Sequence, residues 1–145
     1  MSAGEIREGG MFAFVAELFG KSREVRDLDR CLHQMGLNSH AVNDATKFTI
    51  CKWIREIVPA QQTVEAKDQQ RADLQRAAGE LLAYCVLGRG DFADANSPEL
   101  AEAQEARILE ATEGQNDFDA GVIMLALHAN IADPDIAARV EIESE

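Results

Sequence analysis

The chain has 145 residues, of which 46% are apolar and 28% charged, and it carries a formal charge of −12 at pH 7. A length of this order suits one domain that buries roughly two thirds of its unfolded surface, so no disulfide framework or structural metal is needed to hold it. The composition argues against wholesale disorder, and the longest strongly apolar run, Ala120 to Leu127 with interruptions to Ile131, is shorter than the roughly 20 residues of a membrane span.

The charge is unevenly placed. Met1 to Gly90 holds 12 Lys+Arg and 12 Asp+Glu, whereas Asp91 to Glu145 holds 14 acids and only two bases, Arg107 and Arg139. A single-signed block of this kind repels phosphate backbones and attracts basic surfaces, so it speaks about partners rather than about fold. The start, Met1-Ser-Ala-Gly-Glu-Ile-Arg-Glu, has neither the basic stretch nor the adjoining apolar core of an export signal, which leads to the expectation of a cytoplasmic protein. Cys31, Cys51 and Cys85 are odd in number and embedded in apolar helical patterns, so they read as small core residues.

In chain order, Met11 to Phe19 forms an apolar first helix that stops at Gly20. Ser22 caps a second, in which Val25, Leu28, Leu32 and Met35 make one buried stripe before Gly36. Asn38 or Ser39 caps a third, running through Val42, Ala45, Ile50, Trp53, Ile54 and Ile57 until Pro59 disfavours continuation. Phe48 and Ile50 alternate as in a strand, but the step from Ile50 to Ile57 is helical. Gln61 to Leu87 is the longest helix, with the stripe Leu74, Ala78, Leu81 and Cys85 confined to its second half and the first half facing solvent.

Gly88 and Gly90 end that helix, and residues 88–98 read as a hinge-like loop between the balanced part (1–90) and the acidic part (91–145). Ser97-Pro98-Glu99 combines a capping hydroxyl, a proline at the first helical position and a carboxylate at the positive end of the dipole, opening a helix to about Glu113. Asn116-Asp117-Phe118-Asp119 starts the next, apolar nearly all round through Leu127 and for that reason expected to be the central element. Asp133-Pro134 begins a short last helix. The fold class expected is all-α: a single domain, a compact bundle of about six or seven helices around a central apolar helix.

No Walker phosphate loop, no Gly-x-Gly-x-x-Gly, no Gly-x-Ser-x-Gly and no His-Glu-x-x-His occurs, which counts against the common enzyme classes. The residues three before His33, His40 and His128 are Arg30, Leu37 and Leu125, so the Glu-x-x-His pair of a di-iron bundle is missing and no metal or cofactor is implied. Asp91, Asp94, Asn96 and Glu99 sit close together, but Ala93 and Ala95 take the alternate positions that a calcium loop fills with oxygen ligands. Arg89-Gly90-Asp91, a tripeptide read by cell-surface receptors, is taken as coincidence.

Met35, Gly36, Leu37 and Val42 occupy the apolar and turn positions of a helix-turn-helix, and Lys21 to Arg55 carries seven bases against four acids. Read that way, residues 22–47 form a DNA-binding unit with Ser39, His40, Asn43 and Lys47 on the recognition helix. Against it, Leu32 occupies a crowded position that is usually small, and only one lysine is offered where phosphate contacts dominate affinity. The leading expectation is a non-enzymatic interaction protein, an adaptor, inhibitor or nucleic-acid mimic. It binds a basic protein partner through Glu99, Glu102, Glu105, Glu110, Glu113, Asp117 and Asp119. Nucleic acid and membrane are disfavoured as partners, and a homodimer is a further possibility for covering the apolar helix at Asp117 to Asn130.

Overall fold

Capping chemistry sets most of the helix starts in this chain. The computed structural model describes residues 23–59 and 63–144; the expected helix at Met11 to Phe19, the cap at Ser22 and the start at Gln61 lie outside them. The described residues form α1 (23–34), a short 3-10 turn (Ser39–Ala41), α2 (Asp44–Ile57), α3 (Val64–Leu87), α4 (Arg89–Ala95), α5 (Pro98–Thr112), α6 (Asp117–His128) and α7 (Pro134–Ser144), with no strand among them. This is the all-α bundle of seven helices.

Ser97 and Asn116 cap as expected, their side-chain oxygens accepting from the amides of Leu100 and Asp119, and Thr63 does the same for Ala66 at the head of α3. At α7, Asp133 Oδ2 accepts from the amides of Asp135 and Ile136.

The cap of α2 is one correction. Asn43, not Asn38 or Ser39, opens that helix, its side chain accepting from Thr46 N at 2.8 Å. Asn38 instead turns its side-chain oxygen to the amide of His40. Leu37 and Val42 are both buried, so the chain between them must bend to sink two apolar side chains, and a helix begun at residue 39 would carry Val42 away from the core.

The second correction concerns residues 88–98, which are not a loop. Gly88, at φ +87°, ends α3 and starts α4 at once: its amide donates to Tyr84 O and its carbonyl accepts from Phe92 N. An L side chain there would be strained and would meet the Asp133 carboxylate at 2.8 Å. Fully buried Phe92 fixes α4 to the core, with its ring edge-on to Tyr84 at 5.3 Å. Asn96 Nδ2 donates to Met35 O and to Phe92 O, so its amide is engaged with backbone rather than presented for a cation.

The third correction concerns the centre. Ala78 to Cys85 of α3 is buried on every side, and α3 packs against α2, α4, α5 and α6. α6 buries only Val122, Ile123, Ala126 and Asp119, while Met124 is 45% exposed. Its apolar outer side is laid against α2, where Gly121 lets the Trp53 ring approach so closely that a Cβ would stand 2.7 Å from it. The high apolar content of α6 thus marks a helix between two layers rather than the axis of the bundle.

Cys51 and Cys85 are buried and Cys31 is half-buried against Gly79 of α3. Burial raises all three thiols, Cys51 and Cys85 to about 12.

Candidate functional site

The seven carboxylates expected on the acidic surface divide into two groups. Glu99, Glu102, Glu110, Glu113 and Asp117 are exposed. At a helical repeat of 3.6 residues the first three fall on the outer side of α5 and Glu113 continues that line at its C-cap, opposite the buried Ala101, Gln104, Ile108 and Ala111. Asp117 opens α6 just beyond. Glu105 and Asp119 are instead interior, a departure from the expected surface set.

Asp119, only 3% exposed, receives a two-pronged hydrogen bond from Arg107, Nε to Oδ2 at 3.0 Å and Nη2 to Oδ1 at 2.9 Å. The same guanidinium donates to Gln104 Oε1 at 2.8 Å and lies 3.7 Å from Glu80 Oε1 on α3. One arginine thereby ties α5, α6 and α3 together, in the planar fork geometry that suits guanidinium and carboxylate. Glu105 accepts from the Tyr84 hydroxyl and, at 2.8 Å, from Arg139 Nη2, which pins α7 to α5 and α3. Both groups are fully engaged, which makes them structural members and leaves no oxygen of Asp119 for a ligand.

This use of the arginines decides the electrostatics. Arg107 and Arg139 are the only bases after residue 90, and both are turned inward. Among the described residues no ion pair reaches Glu99, Glu102, Glu110, Glu113 or Asp117. The outer side of α5 therefore keeps its charge uncompensated.

The alternative set behaves differently. Lys47 is 4% exposed, its Nζ 2.7 Å from Asp29 Oδ1 and thus joining α2 to α1. Asn43 is occupied as the α2 cap. Ser39 and His40 lie in the 3-10 turn, not on a recognition helix, and His40 is exposed. The geometry gives no helix that presents these four side chains to a DNA groove.

No protein-family model matches this chain, and no curated protein or solved structure matches it. Function must be read from the surface alone. His33, His40 and His128 are all exposed, and among the described residues no three metal-binding side chains gather into a cluster. No helix among them is long and apolar enough to cross a membrane.

A second surface feature was not singled out in the sequence. Trp53, Glu56 and Ile57 of α2 and Asp117, Phe118 and Gly121 of α6 line a mainly apolar groove of about 240 Å³. Ile57 is 42% exposed there. In the sequence these residues look like core positions of two amphipathic helices; only the crossing of α2 over Gly121 leaves their edges open.

Proposed function

We infer that this chain is a binding protein, without a catalytic step of its own, that takes a basic protein surface on the outer side of α5 and on Asp117. The observation that carries this reading is the inward commitment of Arg107 and Arg139, which leaves Glu99, Glu102, Glu110, Glu113 and Asp117 exposed with no counter-charge from their own half of the chain. A uniformly negative strip steers and orients a positive partner and penalises a negative one. Adaptor, inhibitor and nucleic-acid mimic are all roles such a strip can serve.

The test uses the variant Glu102→Lys/Glu110→Lys/Glu113→Lys, which reverses three exposed charges and spares Glu105. Wild-type and variant chains are immobilised, challenged with cytoplasmic extract at low and high salt, and compared by mass spectrometry. The expected result is a set of basic proteins retained by the wild type at low salt, released at high salt and absent from the variant. Equal retention by both chains overturns the reading.

A further inference from the structure

We propose that the groove between α2 and α6 receives the apolar edge of a basic amphipathic helix, which makes it the anchoring point of the acidic surface. This rests on the binding function above and names the partner's form. Three observations meet in the groove. Its floor is aromatic and aliphatic, from Trp53, Ile57 and Phe118, and the missing side chain of Gly121 leaves the indole seated on the α6 backbone. Its rim is acidic, with Glu56 on α2 and Asp117 on α6, both exposed. Asp117 also continues the line of unpaired carboxylates that runs along α5 through Glu110 and Glu113, so an apolar anchor site and a charged track lie end to end.

The three possible occupants differ in charge. A second copy of this chain brings its own −12 against a rim of the same sign. Met11 to Phe19 is apolar, but the one charge in Met-Phe-Ala-Phe-Val-Ala-Glu-Leu-Phe is Glu17, again of the wrong sign. A helix with leucine-like residues on one side and lysine or arginine on the flanks fills the floor and neutralises the rim together. This is the helix-in-groove mode, in which a few buried anchors provide most of the affinity and the charges set orientation. Met124, 45% exposed and one turn beyond Gly121 on the outer side of α6, extends the apolar path.

Trp53 is the chain's one tryptophan, so its emission reports on the groove alone. The probe is a fluorescein-labelled Leu/Lys amphipathic peptide of about 18 residues, roughly five helical turns. Its controls are a Leu/Glu peptide of the same pattern and a scrambled Leu/Lys peptide. Anisotropy of the label detects binding anywhere on the full chain, and tryptophan emission, read with unlabelled peptide, detects binding at the groove. The expected result is a saturable rise in anisotropy with a matching shift of Trp53 emission, both weakened about tenfold by Glu56→Lys/Asp117→Lys and by Phe118→Ala. The Leu/Glu peptide should give neither signal, and the scrambled peptide should leave the emission unmoved.

Anisotropy that rises and is lost in the Glu102→Lys/Glu110→Lys/Glu113→Lys variant while Trp53 stays silent overturns the groove and leaves the acidic-surface function standing. No binding by either signal overturns both. Trp53 emission that changes in Phe12→Ala/Phe14→Ala without peptide shows the groove already filled by the chain's own segment, and emission that depends on protein concentration shows a second copy; each overturns the proposal. Circular dichroism of every variant separates lost binding from lost fold.

Discussion

The two halves of the described chain use their charges in opposite ways. Between residues 23 and 90, several ion pairs are local and exposed, such as Arg30 with Asp27 and Arg71 with Asp68, each three residues apart on one helix. Beyond residue 90, the two bases are spent between helices: Arg107 joins α5 to α6 and α3, and Arg139 joins α7 to α5. The lesson is that net charge does not say where charge acts. The acidic half is negative outside partly because its few positive groups are part of its interior.

That contrast is open to direct attack, and the largest effect is expected at its centre. Arg107→Ala leaves Asp119 and Gln104 buried without their donor, which should lower unfolding free energy by about 3 to 5 kcal/mol. Arg30→Ala, which removes an exposed pair, should change it by no more than about 0.5 kcal/mol. Urea titrations of both variants suffice; similar losses for the two would erase the distinction between interior and surface bases.

A somewhat smaller effect sharpens the picture of α6. Ile123→Ala, at 3% exposure, should cost about 2 to 4 kcal/mol, whereas Met124→Ala on the outer side should cost less than about 1 kcal/mol. Thermal midpoints should be the same over a hundredfold range of concentration, if the monomer's own helices support α6. A midpoint that climbs with concentration would place a second copy against it.

The thiols give a pH dependence of intermediate size. Their ordinary value is 9.0, and Cys51 and Cys85 reach only about 12 in the fold. The unfolded chain therefore gives up these protons first, and stability falls as pH rises from about 9 towards 12. Cys51→Ala/Cys85→Ala should be less stable at neutral pH but lose less than the wild type over that window, as read from thermal midpoints. Parallel slopes would mean that the thiols do not contribute. At neutral pH, Cys51 and Cys85 should resist alkylation until the chain unfolds, with Cys31 reacting first.

The smallest effect belongs to the outer face of α5. Reversing Glu102, Glu110 and Glu113 together should move stability by no more than about 0.5 kcal/mol, because no partner within the described chain is lost. A larger loss would show that these carboxylates support the fold.

Much of the fold was legible because it depended on signals within a few residues. The Ser97-Pro98 and Asn116 starts, the half-buried course of α3 and the stripe Val25, Leu28 and Leu32 are of this kind. The seven residues of α4 are too few for a periodic pattern and are held by the long-range burial of Phe92. Asn38 and Asn43 offer the same capping oxygen, and only the need to bury Leu37 and Val42 together chooses between them. Glu105 and Asp119 looked like surface acids because their partners lie 34 and 12 residues away. A signal existed nonetheless: two lone arginines in a tract of 14 acids each had to meet a carboxylate, and the ones they met were not free to do anything else.

α3 has one further consequence, in time rather than in space. Its first turns, from Val64 at 72% exposure through Asp73, have little packed against them, while Ala78 to Cys85 lies wholly inside. Amide protons along this one continuous helix should then exchange with solvent on a steep gradient. Those near Val64 leave by fraying of the end, and those near Leu82 leave only when the whole domain opens. A single rod of 24 residues thereby records both the fastest and the slowest motions of the bundle it runs through.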